Sequence, residues 1–106
     1  MKMRTLSEHS TSAAALLSAM ANPKRLLILC NLVNGEVPVG VLATQVGLSQ
    51  SALSQHLSKL RAQKLVKTRR DAQTIYYSSN SESVKKILAS LEEIYCQAQK
   101  SSKTAA

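Results

Sequence analysis

Residues 39–66 read VGVLATQVGLSQSALSQHLSKLRAQKLV, and residues 67–78 continue KTRRDAQTIYYS. Val39, Leu42, Ala43 and Val46 share one helical stripe, which Gly47 stops. Ser49 stands where it caps a following helix, QSALSQHLSKLRAQK, with Leu53, Leu57 and Leu60 as its apolar stripe. Only Gly47-Leu48-Ser49 separates the two. A glycine in the link permits a sharp turn, and the small Ala43 before it lets the helices approach steeply, which is the helix-turn-helix arrangement. The second helix of such a pair presents one side to the DNA major groove. Here that side carries Gln50, Ser51, Ser54, Gln55 and Ser58, all neutral and hydrogen-bonding. Gln pairs bidentately with adenine, and Ser reaches bases or phosphates. His56 lies at the edge of the apolar stripe, where packing or phosphate contact is expected ahead of base reading.

After Lys64 the period changes from helical to alternating. Leu65–Arg69 and Thr74–Ser78 are expected as two short strands, with Arg70-Asp71-Ala72-Gln73 as the hairpin tip. No charged residue occurs from Val37 to Ser58, yet Lys59, Arg61, Lys64, Lys67, Arg69 and Arg70 follow closely. Neutral readers thus stand beside a basic rim, and phosphate contacts supply affinity while base edges supply sequence information. Ser49, Lys59, Arg61, Arg69, Arg70 and Gln73 complete the expected DNA-binding set. A polar helix face alone is more often a solvated surface. The turn spacing, the basic hairpin and the net charge together favour DNA.

The flanks read as helices. Ala13, Leu16, Leu17 and Met20 make a first amphipathic helix from about Ser12 to Ala21, after a loose arm over residues 1–11. Asn22-Pro23 reads as N-cap and first residue of a second helix, KRLLILCNLV, apolar around most of its circumference and ending at Asn34-Gly35. Ser81 is expected to cap a last helix with Val84, Ile87, Leu88, Leu91 and Tyr95 on one side, and residues 99–106 read as a frayed tail. The fold class is therefore mainly α with one β-hairpin, in the order helix, helix, helix, helix, hairpin, helix, as one domain over residues 12–98.

Composition narrows the function. Among 106 residues, 14 Lys and Arg oppose 6 Asp and Glu, a net charge of +8, which points to a polyanionic partner. With no Phe or Trp and 3 Tyr, single-strand binding on aromatic platforms is disfavoured. No Gly-rich nucleotide loop is present, and the longest apolar runs are far short of the roughly 20 residues of a membrane span. The N-terminal basic residues before AAALLSAMA imitate a signal peptide, but Glu8, His9 and a Ser/Thr cluster intervene, and a cytoplasmic protein with reduced thiols is expected. No carboxylate pair, Ser/His/Asp set or C-x-x-C marks an enzyme, and no cofactor is expected.

The element order, with LSQSALSQHLSKLRAQKLV, TRRDAQTIYYS and AMANPKRLLIL, resembles the ArsR/SmtB family of winged-helix repressors. The resemblance covers about residues 12–98 and implies a homodimer, an inverted-repeat operator on double-stranded DNA, and a wing against the DNA backbone. Leu16, Leu17, Met20, Leu88, Leu91 and Tyr95 are then the expected dimer interface, since both terminal helices have an apolar side that one protomer does not obviously cover. The family's metal sensors carry cysteines in the third helix or Asp and His on the last. Here the third helix has no thiol and the last helix no His, so no metal site is expected. A persulfide-responsive branch of the family has one cysteine in the second helix and one near the end of the last, where Cys30 and Cys96 fall. That match implies a redox sensor released from DNA by reactive sulfur species or oxidants. A neighbouring branch of nodulation regulators, to which the DNA-reading segment is very similar, is not known for this pair and implies an inducer-free repressor or antirepressor. A winged helix used only for protein contacts is the alternative of another class. By helical spacing from Leu26 and Val33, Cys30 is expected on the packed side of its helix. Cys96 sits about 120° from Val84 and is expected to be the more accessible thiol.

Overall fold

A computed structural model of the chain describes the backbone of residues 2–105 and the side chains of residues 2–96. In chain order the elements are α1 (Met3–Met20), α2 (Pro23–Leu32), β1 (Val37–Pro38), α3 (Val39–Val46), α4 (Gln50–Ala62), β2 (Lys67–Asp71), β3 (Thr74–Ser78) and α5 (Glu82–Ala105). Among the described residues no single helix is long and apolar enough to cross a membrane.

The apolar stripes meet around α2. Ile28, Leu29 and Leu32 pack with Leu42, Ala43 and Val46 of α3, with Leu53, Leu57 and Leu60 of α4, and with Val84 of α5. Leu65 and Val66 close the core at the start of the hairpin. Ser79 ties the hairpin's exit to it, donating its hydroxyl to the Leu65 carbonyl at 2.6 Å and its N–H to the Leu32 carbonyl at 3.2 Å.

The N-terminus of α2 holds three other helices. The Asn22 side chain accepts from the Lys24 and Arg25 N–H groups at 2.9 and 3.1 Å, and Pro23 fills the first turn. Lys24 donates its ammonium to the Val46 carbonyl at the end of α3, at 2.6 Å. Arg25, only 8% exposed, donates Nε to the Ala19 carbonyl at 2.6 Å and Nη2 to the Ser18 carbonyl at 3.3 Å. Both cations therefore donate to carbonyls in the last turns of helices, at the negative ends of helix dipoles, and the Ala21 N–H shares the Ser18 carbonyl at 3.3 Å. Through this junction α1 and α2 meet at 92°.

Four boundaries differ from expectation, each for a local reason. Helix α1 begins at Met3, so residues 3–11 of the expected loose arm are helical. No Gly or Pro interrupts it, Arg4 and Glu8 pair at 3.5 Å across one turn, and a helix anchored by its C-terminal half extends without a new nucleus. Extension likewise carries the α5 backbone to Ala105, where residues 99–106 were expected to fray; the side chains there lie outside the described residues. The hairpin is displaced from expectation: its first strand runs Lys67–Asp71 and not Leu65–Arg69, and its tip is shorter. Arg70 and Asp71 pair with Ile75 and Thr74, which leaves Ala72-Gln73 as a two-residue turn with Ala72 at φ 56°. Turns of that length require positive φ, normally signalled by Gly or Asn, and neither is present to mark it. Finally, β1 pairs with β3, making a three-stranded antiparallel sheet in the order β1-β3-β2. Two residues ending in proline are too few to display a strand period.

Arg25→Ala should lower unfolding free energy by about 1–3 kcal/mol, because it removes the donor to the Ala19 carbonyl and one of the two donors to the Ser18 carbonyl. Urea denaturation reads this, and a loss below about 0.5 kcal/mol, the level of an ordinary surface substitution, would contradict the junction's role.

Candidate nucleic-acid interface

Helix α4 is held from behind and bare in front. Leu53, Leu57 and Leu60 are buried, while Gln50, Ser51, Ser54, Gln55, Ser58, Lys59 and Arg61 are exposed. The start of the helix is set by Ser49, whose hydroxyl accepts from the Ala52 N–H at 3.2 Å. Gly47 in the turn has φ 69°, a left-handed conformation that favours glycine, and its N–H and that of Leu48 return to α3 carbonyls. The Gln50 amide lies over Gly40 of α3, 3.8 Å from where a Cβ would stand. At the other end Lys64 takes φ 59° and the Leu65 N–H bonds to the Leu60 carbonyl at 3.0 Å, which turns the chain into the sheet. The predicted polar face is thus one continuous exposed surface, with Lys59 and Arg61 at its C-terminal end.

His56 is placed differently from its neighbours. It is half-buried, and its Nδ1 lies 3.4 Å from Arg25 Nη1. Burial pushes its pKa below the usual imidazole value, with the Arg25 and Lys59 charges adding in the same direction.

The sheet divides its cations. Arg69 donates Nε to the Glu36 carboxylate at 2.8 Å, approaches Asp71 at 4.0 Å, and stacks 4.5 Å from the Tyr76 ring centroid. Glu36 is held below the usual carboxylate range chiefly by the hydrogen bond from Arg69, which outweighs the opposing desolvation, with the Arg69 and Lys67 charges adding lesser contributions. Arg69, expected to contact DNA, is therefore engaged within the sheet. Arg70 faces the other way in the strand register, opposite Ile75, and has no ion pair among the described residues. Gln73 is exposed at the turn. The sequence reading missed Glu36, Lys24 and Arg25, because their partners lie far along the chain.

The expected dimer residues separate by exposure. Leu17 is 53% and Tyr95 66% exposed, whereas Leu16 and Leu88 are half-buried against the protomer's own core. Leu91 is half-buried in a groove between α2 and α5. Met20, at 2% exposed, is a correction: the bend after α1 turns it into its own core. Ile94, not singled out in the sequence, is 57% exposed beside Tyr95.

Cys30 is also a correction. It is exposed, not packed, because Leu26 and Val33 mark the core's edge and the α2–α5 groove opens over it. Leu26, Cys30 and Val33 line one side of that groove, and Leu88, Glu92 and Tyr95 the other. The groove walls still remove water from one side of the thiol. That desolvation, followed by the Glu92 charge, raises its pKa. Cys96 is exposed, one helical turn beyond Glu92.

Comparison with known proteins bears on this geometry. Residues 22–68, from the cap of α2 into β2, match the model of the bacterial regulatory protein, arsR family. The nodulation protein NolR of Rhizobium meliloti is 72% identical over 88 residues, 83% of this chain and 72% of NolR. Reduced HlyU from Vibrio cholerae superposes with a TM-score of 0.80 at 47% identity, over 89% of this chain and 99% of HlyU. The homodimeric winged helix-turn-helix DNA-binding domain of Mb0332 from Mycobacterium bovis superposes with a TM-score of 0.77 at 28% identity, over 94% of this chain and 92% of that domain. By these matches the chain belongs to the ArsR family of DNA-binding transcriptional regulators, and it is not an enzyme.

Proposed function

We propose that the protein is a homodimeric repressor that binds an inverted-repeat operator, with α4 in the major groove and the β2–β3 wing along the backbone. The observation that carries this is the exposed face of Gln50, Ser51, Ser54, Gln55 and Ser58, backed by a buried leucine stripe and flanked by cations. Ser49, Lys59, Arg61, Arg70 and Gln73 supply backbone contacts. Arg69 mainly holds the wing to Glu36. Homodimerisation rests on Leu17, Ile94 and Tyr95, apolar groups left exposed on α1 and α5, and on the homodimeric state of the similar mycobacterial domain.

The DNA face predicts two kinds of loss. Gln55→Ala should weaken operator binding by about 1–3 kcal/mol and relax base preference at one position in each half-site. Arg70→Ala should weaken operator and random DNA alike and flatten the dependence of log K on log salt. Equal loss of sequence preference in both variants would contradict the division. Leu17→Asp and Ile94→Asp should each give monomers by sedimentation and lose operator binding, because one head reaches one half-site. A monomeric wild type at micromolar concentration would overturn the dimer.

The finer proposal is that reactive sulfur species release the operator through Cys30 and Cys96. The groove supports it: Cys30 faces Glu92, and Cys96 follows Glu92 by one turn, about 6 Å along the axis. The Cys96 thiolate takes the outer sulfur of an organic persulfide, releasing the organic thiolate. The Cys30 thiolate then attacks the inner sulfur of the Cys96 persulfide, closing a disulfide and expelling hydrosulfide. If Cys30 is itself a persulfide, the same displacement leaves one inserted sulfur. The raised thiol pKa of Cys30 favours the second reading, an inducer-free regulator with inert thiols. Treatment with a persulfide donor separates them. On the sensing reading operator affinity drops, recovers with reductant, and stays high in Cys30→Ser and Cys96→Ser, while Cys30→Ser accumulates a persulfide or mixed disulfide at Cys96. Full affinity after mass-verified oxidation of the wild type would leave the inducer-free reading.

A further inference from the structure

Resting on the DNA-reading role of α4, we infer that Arg25 and His56 form a positioning pair that seats α4 against the end of α1, and that sequence-specific binding requires His56 to be neutral with its proton on Nε2. A guanidinium only donates hydrogen bonds. Two of the Arg25 donors are taken by the Ser18 and Ala19 carbonyls of α1, and Nη1 points at His56 Nδ1 at 3.4 Å. Nδ1 must then accept, which puts the ring proton on Nε2. Arg25 cannot turn away to suit another arrangement, because it is buried and its backbone N–H is held by the Asn22 cap.

The pair joins two surfaces that carry different parts of the function. On one side is the end of α1, next to the exposed Leu17. On the other is α4 at the residue following Gln55, so the Nδ1 contact sets how far the reading face is rotated about the helix axis. A small rotation there displaces base-contacting atoms, whereas phosphate contacts through long, flexible cations tolerate it. Losing the contact therefore lowers the preference for one sequence more than the affinity for DNA in general.

The charge environment gives the pair a proton dependence. From α2 the ring faces Arg25, while the Lys24 ammonium is bound to the Val46 carbonyl. From its own helix it faces Lys59. Helix α3, and α1 from Ser10 onward, carry no ionisable side chain. Among the described residues the charges that act on the ring are those of Arg25 and Lys59. A protonated His56 would turn an N–H toward the guanidinium, with two cations in contact and no counter-ion.

The test uses the full chain, a duplex that it selects from a random pool, and a random duplex, at constant ionic strength. On acidification from about pH 7.5 to about pH 5, a window extended below the ordinary imidazole range because burial and the Arg25 and Lys59 charges lower the His56 value, the ratio of selected to random affinity should fall about three- to tenfold, the equivalent of one modest hydrogen bond. His56→Asn keeps an oxygen acceptor near the Nδ1 position and does not titrate. It should hold a higher ratio than His56→Leu, and neither ratio should change with pH. Nitrogen chemical shifts of the free wild type at the upper pH should report the Nε2–H tautomer. Affinity for both duplexes rising together on acidification would mean that charged His56 contacts phosphate and would overturn the proposal. So would equal ratios in the two variants, or an Nδ1–H tautomer. If no duplex were bound specifically at any pH, the DNA-reading role of α4 would fail, while the tautomer would still decide the Arg25 contact.

Discussion

The guanidinium of Arg25 is buried where α1, α2 and α4 meet, and the arrangement of the helices depends on it. A buried cation is costly unless its donors are met. Here two carbonyls at the end of α1 meet them, and the cation in turn supplies what that helix end lacks. Lys24, the neighbouring residue, does the same for α3. The four residues Asn22-Pro23-Lys24-Arg25 thus start one helix and finish two others. The 92° bend between α1 and α2, which buries Met20 and leaves Leu17 outside, follows from this junction. So does the placement of α4, which α2 supports through its leucines and through the contact with His56.

Local features were the most legible in the sequence. The stripe Leu53, Leu57, Leu60, the Ser49 cap and the Gly47 turn each state a periodicity or a backbone preference within a few residues, and each matches the structure. The opposite polar face of α4 follows from the same period. What was not legible depends on residues far apart in the chain. Glu36 and Arg69 are separated by 33 positions and Arg25 and His56 by 31, and nothing in either sequence neighbourhood announces the other. Cys30 shows the limit of helical geometry. Its spacing from Leu26 and Val33 correctly puts the three together, but α5 leaves a groove over that side. The shared face is therefore an open one.

The wing and the groove illustrate how one residue type takes different roles. Arg69 and Arg70 are adjacent, yet strand alternation sends one to Glu36 and Tyr76 and leaves the other without an ion pair among the described residues. The first stabilises the shape that carries the second. Cys30 and Cys96 are both exposed, and Cys30 lies in a groove whose walls raise its pKa. On the proposed sensing route the chemistry begins at Cys96 and closes across the groove between α5 and α2.

The central claim is that two copies of this chain present two α4 helices to DNA in a symmetric arrangement. Selection of bound duplexes from a random-sequence pool tests it most directly. The account predicts enrichment of one short motif in two inverted copies, with centres about 10–10.5 base pairs apart or a multiple of that, the spacing of major grooves on one face of the duplex. A pool with no enriched motif, or a motif that occurs singly or as a direct repeat, would contradict it.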